Sequence, residues 1–200
     1  MCINYEHVPV IRIKNGRLWN EVRINLTYDG ELLSANDKHS RLRNKNDIRY
    51  DLADQLWQIY CGGDFSRFGF DHNTILQSGK NFRDIGFFPL LTRKMNAACI
   101  LTIQLMRNDT PGAIVHGGDI DNRLKTLFDA LRLPENDNEV LAPKSPGLVD
   151  QDGVKLCCCL LEDDSLITDL TVRTIPHMRT LPKGHVRLVI DAEFRPFDFV

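Results

Sequence analysis

The stretch HGGDIDNRLKTLFDAL, residues 116–131, decides the fold that we expect for this chain. Four apolar residues in it recur at helical spacing: Ile120, Leu124, Leu127 and Leu131. They predict an amphipathic helix from about Ile120 to Arg132, with this face in the core. Gly117 and Gly118, just before it, are typical of a tight turn from a strand into a helix.

Apolar patterns elsewhere predict the elements that pack against this helix. Val22, Ile24 and Leu26 alternate with polar residues, which predicts a strand that ends at an Asp29-Gly30 turn. The remaining predictions are a helix over 47–60, a loop over 61–83, and strands over 85–91 and 97–106, the last of them central in its sheet. Together they indicate an α+β fold with a mixed β-sheet flanked by helices.

Length and composition favour one folded domain. The 200 residues are 42% hydrophobic, which is enough apolar chain for one core of ordinary size. We expect a single domain over 1–200, with 1–92 as an N-terminal elaboration and 93–200 as the core that carries the motifs. The segment 133–153 is rich in proline and acidic residues, and we expect it to be a mobile loop.

Apolar runs and cysteines indicate the compartment. No apolar run is long enough to cross a bilayer, and the N-terminus lacks a basic segment followed by an apolar one. Cys157, Cys158 and Cys159 lie in an apolar stretch, which is typical of buried thiols in a reducing compartment. We therefore expect a cytoplasmic protein with no membrane partner. A zinc site using Cys157 and Cys159 is less favoured, because no second pair lies at ligand spacing.

The net charge of −2 hides an uneven distribution along the chain. Residues 107–169 contain thirteen acidic residues against six Lys and Arg, whereas 171–189 contain four Lys and Arg and no acid. A second basic cluster consists of Lys38, His39, Arg41, Arg43, Lys45 and Arg49. An acidic centre with basic flanks suits a metal-dependent phosphodiesterase, because the cation offsets the acids while the flanks hold phosphates. The alternative is that both basic clusters are solvated surface.

Carboxylates in two separate segments are the candidate metal ligands. They are Asp119 and Asp121 at the start of the predicted helix, and Glu162, Asp163 and Asp164 after a separate apolar strand. If the segments meet, the carboxylates repel unless a cation lies between them, and Mg²⁺ prefers such oxygen ligands. Ordinary structural roles are the alternative, with Asp119 as a helix N-cap and Asp121 in a surface ion pair with Lys125.

Four short segments follow one another in the second half of the chain. They are DIDNRLK at 119–125, DAL at 129–131, DD at 163–164 and ITDLTV at 167–172. In this order they resemble the RusA-type Holliday junction resolvases, and the likeness covers roughly residues 100–175. The combination is more specific than any of its parts. The resemblance implies a metal-dependent endonuclease that cleaves branched DNA in recombination and repair.

The resemblance also implies roles for individual residues. Asp119 and Asp121 correspond to the family's paired metal-binding aspartates, and Lys125 to its catalytic-site lysine. The third acid corresponds to Asp164, with Asp163 as the reserve, because neighbours on an extended strand point to opposite faces. The implied cofactor is Mg²⁺ or Mn²⁺. The implied partners are branched DNA and a second copy of the chain in a homodimer.

Nucleic-acid contacts are expected at the helix start and in the basic flank. Gly117 and Gly118 would let a phosphate backbone approach the helix N-terminus. The basic residues expected to contact phosphates are Arg123, Arg173, Arg179 and Lys183.

Two other functions are consistent with the sequence. One is a non-catalytic nucleic-acid-binding module of the same fold, which would bind DNA in a salt-dependent way without metal. The other is a metal-dependent phosphohydrolase of small phosphate substrates, which suits the acidic balance. The presence of both motif aspartates, the lysine and the later acid pair argues against the first. Only substrate tests separate the second from an endonuclease.

Overall fold

The computed structural model describes the chain in ten segments. They are residues 10–14, 17–34, 38–62, 75, 77–108, 120–143, 149–151, 154–177, 181–182 and 184–196. The elements within them are β1 (Val10–Lys14), β2 (Arg17–Glu31), α1 (Lys38–Gly62), β3 (Lys80–Phe82), β4 (Ile85–Leu91), β5 (Ala97–Arg107), α2 (Ile120–Leu131), β6 (Val149–Gln151), β7 (Val154–Leu161), β8 (Ile167–Pro176) and β9 (His185–Pro196). Single 3-10 turns lie at Arg93–Met95, Asp137–Glu139 and Asp164–Leu166.

The described strands form two mixed sheets, where the sequence predicted one. The five-stranded sheet has the order β1-β2-β9-β5-β8, and the four-stranded sheet has the order β3-β4-β7-β6. β5 is parallel to β8, and β4 is parallel to β7, while the other neighbours are antiparallel. The α+β class is confirmed, and so is the central position of β5. Each sheet contains strands from the predicted N-terminal elaboration, 1–92, and from the predicted core, 93–200.

Two chain crossings connect the sheets side by side. β4 leaves the four-stranded sheet and continues as β5 of the five-stranded sheet, and β7 continues in the same way as β8. Because β4 lies beside β7 and β5 lies beside β8, the two crossings are neighbours. We call them the corner, which consists of residues 92–96 and 162–166.

The two described helices, α1 and α2, bury apolar faces against these sheets. The buried apolar positions that the helical spacing predicted are Ile48, Leu52 and Leu56 in α1 and Leu127 and Leu131 in α2. One hydrophobic cluster joins them to strands of both sheets, and Ile120 and Leu124 pack against it while partly exposed. Each fully buried Leu or Ile contributes roughly 1.5–3 kcal/mol to the stability. Neither described helix is long and apolar enough to cross a membrane.

Strand β2 continues through the predicted Asp29-Gly30 turn, so that prediction is wrong. Gly30 pairs with Val186 of β9, and the pairing extends to Glu31. The glycine is explained by close packing, because a Cβ atom at Gly30 would lie 2.5 Å from the Tyr28 hydroxyl. That hydroxyl donates a hydrogen bond to the Glu31 carbonyl at 2.8 Å. Here glycine makes room for a side chain within a strand.

Helix α1 begins at Lys38, nine residues before the predicted start. Its N-terminal half buries polar side chains, namely Asn44, Lys45, Asn46 and Arg49, so the apolar periodicity does not reveal it. The predicted loop over 61–83 is also wrong in part. It contains strand β3 and the buried helical residue Ile75, while 63–74 and 76 lie outside the described residues.

The contiguous cysteines are buried, as expected. Cys157 and Cys159 face a small hydrophobic cluster with Tyr50, whereas Cys158 faces the large one. The two odd-numbered thiols therefore share one side of β7. Burial raises the pKa of the Cys158 thiol well above its ordinary value, which keeps it protonated and unreactive. Cys61 is exposed and is also a thiol.

Candidate metal centre at the corner

Hydrogen bonds hold the two crossings of the corner together. The N–H of Glu162 donates to the Leu91 carbonyl at 2.8 Å, and the N–H of Arg93 donates to Glu162 Oε2 at 2.9 Å. These bonds extend the parallel pairing of β4 and β7 beyond the last residue of each strand. Glu162 therefore fixes the corner through both its backbone and its carboxylate.

Asp163 is also held within the corner. It is the N-cap of the 3-10 turn, and its Oδ1 accepts a hydrogen bond from the N–H of Ser165 at 3.0 Å. The Arg93 guanidinium lies 3.0 Å from the same oxygen. Hydrogen bonds from Ser165, together with Arg93, lower the pKa of Asp163 below its usual value. Asp163 thus has protein partners for its charge.

Asp164 is placed differently from Asp163. It is the first residue of the 3-10 turn and is exposed, and no described residue pairs with its carboxylate. The sequence argument put both acids on an extended strand, which is wrong because β7 ends at Leu161. The two acids differ because one caps the turn and the other begins it. This distinction favours Asp164 over Asp163 as the candidate ligand.

Helix α2 presents Asp121 and Lys125 to solvent. Both residues are exposed, and Asp121 lies in the first turn, where the helix dipole favours a negative charge. Asp121 Oδ1 accepts a hydrogen bond from the N–H of Asn122 at 2.8 Å. The structure does not form the Asp121–Lys125 ion pair that was the structural alternative, since neither charged group has a salt-bridge partner among the described residues.

The turn that carries Asp164 packs directly against α2. Leu166, at the end of this turn, enters the same hydrophobic cluster as Leu127 of the helix. The N–H of Leu133, just after α2, donates to the Leu161 carbonyl at 3.0 Å. Two motif segments some forty residues apart in sequence are therefore neighbours in space.

Several predicted site residues lie outside the described part of the chain. They are Gly117, Gly118, Asp119, Arg179 and Lys183. Among the residues that the structure does describe, no group of three or more His, Cys, Asp or Glu side chains could hold a metal ion. The ligand set of Asp119, Asp121 and Asp164 therefore stays a prediction.

The two described arginines of the predicted DNA contact set differ in exposure. Arg123 is 6% exposed, a position that favours packing inside the protein over contact with a phosphate. Arg173 lies on β8 and is exposed, with its side chain on the face of the sheet opposite the core. Of these two described arginines, Arg173 alone has the exposure that a phosphate contact requires.

Three of the six residues in the basic cluster of α1 have partners inside the protein. The Arg41 guanidinium lies 2.7 Å from Asp129 of α2, and Lys45 Nζ lies 3.3 Å from Glu139. Arg49, 1% exposed, donates to the Asp129 carbonyl near the C-terminus of α2. Both interpretations of this cluster, as a phosphate-binding flank or as solvated surface, are therefore wrong for these three residues.

Arg132 completes this buried charge network. Its guanidinium lies 3.1 Å from Asp129 and 3.5 Å from Glu139. Burial alone would raise the pKa of Glu139, but Lys45 and Arg132 outweigh it and the pKa is lowered. We call the set of Arg41, Lys45, Arg49, Asp129, Arg132 and Glu139 the internal network.

The first half of the predicted mobile loop is packed onto α1. Leu133 and Val140 are buried. The Asn46 side chain donates a hydrogen bond to the Glu139 carbonyl at 2.9 Å, and the Tyr50 hydroxyl donates one to the Leu141 carbonyl at 2.6 Å. The prediction is therefore wrong for 133–143, while 144–148 and 152–153 lie outside the described residues. The acid at Glu139 is neutralised within the fold.

Sequence reasoning missed Arg93, which orders the corner. It follows the fully buried strand β4 and contacts both acids that precede Asp164. A signal was present in the abrupt change from an apolar run to Thr-Arg-Lys at 92–94. The sequence does not show that Arg93 contacts Glu162 and Asp163, because these residues are about seventy positions away.

Comparisons with protein-family models, with curated proteins and with solved structures find no match to this chain.

Proposed function

We propose that this chain is a metal-dependent endonuclease that cleaves phosphodiester bonds in branched or structured DNA. The observation that carries the proposal is the packing of the 3-10 turn Asp164–Leu166 against α2. It makes neighbours of the two segments that hold the motif acids and Lys125. The resemblance to RusA-type resolvases supplies the reaction class.

Two described carboxylates have the donor chemistry that a hard divalent cation prefers. Asp121 and Asp164 offer exposed carboxylate oxygens that have no cationic partner among the described residues, and such oxygens are the ligands that Mg²⁺ and Mn²⁺ take. Asp119 is the third proposed ligand. Asp163 fits less well, because Arg93 already neutralises it. When bound, the cation would supply an activated water and polarise the scissile phosphate.

Lys125 is proposed to act on the phosphate. It lies one helical turn after Asp121 on the exposed side of α2, and its ammonium has no described partner. An unpaired ammonium beside a phosphodiester stabilises the negative charge that develops in the transition state. Lys125 is thus proposed as a catalytic residue, and the acids as ligands.

The proposed partners are DNA and a second copy of the chain. Arg173 offers an exposed guanidinium for phosphate contact, and Gly117, Gly118, Arg179 and Lys183 complete the proposed contact set. A homodimer would place two active sites on the two strands of a symmetric junction. The buried thiols at 157–159 support a cytoplasmic location.

The test is cleavage of labelled four-way junction, duplex and single-stranded DNA by the purified protein with Mg²⁺, Mn²⁺ or EDTA. We expect paired, metal-dependent nicks in the junction that Asp164→Asn abolishes. The control is Asp84→Asn, an exposed acid on the β3–β4 turn whose positive φ of 62° asparagine also adopts.

Other outcomes of this assay would replace the proposal. Junction binding without cleavage in any metal would indicate the non-catalytic nucleic-acid-binding module. Metal-dependent hydrolysis of small phosphate esters, with no DNA cleavage, would indicate the phosphohydrolase. Full activity of Asp164→Asn would show that the corner is not the site.

A further inference from the structure

Strand β8 is a long edge strand with an unusually exposed surface. It pairs with β5 on one side and ends the order of the five-stranded sheet, so no described strand pairs with its other side. Eight of its ten residues are exposed, and it carries the two exposed large hydrophobic residues of the described chain, Leu170 at 41% and Ile175 at 36%. The outer backbone N–H and C=O groups of such an edge favour pairing with another strand.

The sequence of β8 is nearly symmetric about its centre. Residues 167–175 are ITDLTVRTI, with Thr171 in the middle. Positions equally distant from Thr171 carry matching or complementary side chains: Leu170 with Val172, Asp169 with Arg173, Thr168 with Thr174, and Ile167 with Ile175. In a two-fold symmetric contact, residue i of one copy meets residue j of the other while j meets i, so such a sequence is complementary to itself.

We propose that β8 pairs antiparallel with β8 of a second copy, with Thr171 opposite the partner's Thr171. Asp169 then lies opposite the partner's Arg173, and the symmetry axis repeats this ion pair. Neither Asp169 nor Arg173 has an ion-pair or hydrogen-bond partner for its side chain among the described residues. Opposite charges facing each other across an antiparallel pair stabilise it, and like charges destabilise it.

The two faces of β8 support the same register. Leu170 and Val172 pair with Leu101 and Ile103 of β5, which are fully buried, so these side chains point to the core side of the sheet. Leu170 would meet the partner subunit's Val172 there and continue the core across the axis. The charged pair lies on the opposite face, with Asp169 beside Ile100 of β5.

A bulge at the start of β8 limits the pairing to the centre of the strand. Cys99 pairs with Ile167 and Ile100 with Asp169, so Thr168 is the extra residue. The segment 169–173 is regular and holds the charged and apolar pairs. The other edge strands of the two described sheets are shorter, because β1 has five residues and β3 and β6 have three each. This inference does not rest on the nuclease proposal, because assembly is measured without metal or DNA. It assigns Arg173 to the interface in place of the proposed phosphate contact.

The experiment measures the mass of the full chain by sedimentation over a range of concentrations in EDTA. We expect a concentration-dependent dimer of the wild-type protein. Asp169→Arg puts two arginines opposite each other and Arg173→Asp puts two aspartates there, so each variant alone should dimerise at least roughly tenfold more weakly. Lys80→Glu, a charge reversal on exposed strand β3, is the matched control and should dimerise like the wild type.

An equimolar mixture of the two variants provides the decisive measurement. One chain then carries arginine at both positions and the other carries aspartate at both, so the mixture should form a heterodimer with both ion pairs restored. A wild-type protein that stays monomeric at all concentrations would overturn the proposal. So would single variants that dimerise as strongly as the wild type, or a mixture that remains monomeric.

Discussion

The corner and the internal network contain the same kinds of charged residue in opposite environments. In the internal network, Asp129 and Glu139 are each paired with two cations and are largely buried. At the corner and on α2, Asp164, Asp121 and Lys125 are exposed and have no described ionic partner. Clusters that look alike in the sequence therefore have different uses in the structure.

This difference separates charges that stabilise the fold from charges that can act on a ligand. A buried ion pair stabilises only as long as both partners remain, because a lone buried charge is costly. An exposed carboxylate contributes little to stability and can be changed at small cost to the fold. Variants of the internal network should therefore lower stability, whereas variants of the exposed charges should lower activity with little effect on stability.

The largest effect is expected for Arg132→Met, which removes the centre of the internal network. Asp129 and Glu139 would each keep one other cation but lose a charge-assisted hydrogen bond, and the two losses together destabilise the protein by roughly 3 kcal/mol. Urea denaturation followed by circular dichroism measures the change. Arg43→Met, at an exposed position of α1, is the control and should change stability by less than about 0.5 kcal/mol. If both variants are equally stable, the buried Arg132 contributes no more to stability than an exposed arginine does.

Asp121→Asn should show the reverse pattern. We expect metal-dependent cleavage to fall on the order of 10²–10³-fold, because a proposed ligand is lost. The thermal stability of the metal-free protein should change little, because this exposed side chain has no ionic partner among the described residues and an asparagine oxygen can accept the same hydrogen bond from Asn122. Single-turnover cleavage and a thermal melt in EDTA measure the two quantities. A clear loss of stability would assign Asp121 a structural role instead.

Lys125→Ala should affect turnover more than metal affinity. Lys125 is proposed to contact phosphate rather than to neutralise the acids, so kcat should fall about tenfold or more while the metal concentration for half-maximal activity hardly changes. Titrating the cation against the cleavage rate separates the two quantities. If both change together, Lys125 supports the carboxylates and does not act on the phosphate.

The smallest effect concerns the pH dependence of stability. The folded protein lowers the pKa of Glu139, so its ionised form stabilises the fold above the unfolded pKa, and this contribution is lost as the pH falls through the folded pKa. Stability measured by urea denaturation between neutral and acidic pH should therefore fall less steeply in Glu139→Gln than in the wild type. An unchanged slope would mean that Glu139 is not the acid responsible.

Local apolar patterns predicted much of the fold. Strands 85–91 and 97–106 are confirmed, because each is a short and largely apolar run. Helix α2 and the apolar face of α1 are confirmed, because a period of 3.6 residues shows which side of a helix is buried. The pattern failed at Gly30, where a glycine needed for packing resembled a turn, and at residues 38–46, where the buried face is polar. In both places polar groups make the decisive contacts inside the protein, namely the Tyr28 hydroxyl beside Gly30 and the buried polar side chains of α1, and an apolar pattern does not reveal them.

The candidate site also has features that the sequence predicts and features that only the folded structure shows. The sequence by itself determined the motif residues, their order and the helix that carries two of them, because these depend on residue type and short spacing. Tertiary structure alone decided that Asp163 is neutralised by Arg93 while Asp164 is exposed, and that half of the basic cluster is internal. These outcomes depend on partners 70 to 94 residues away in the sequence, and pairing over such distances is set by the packing of the whole chain.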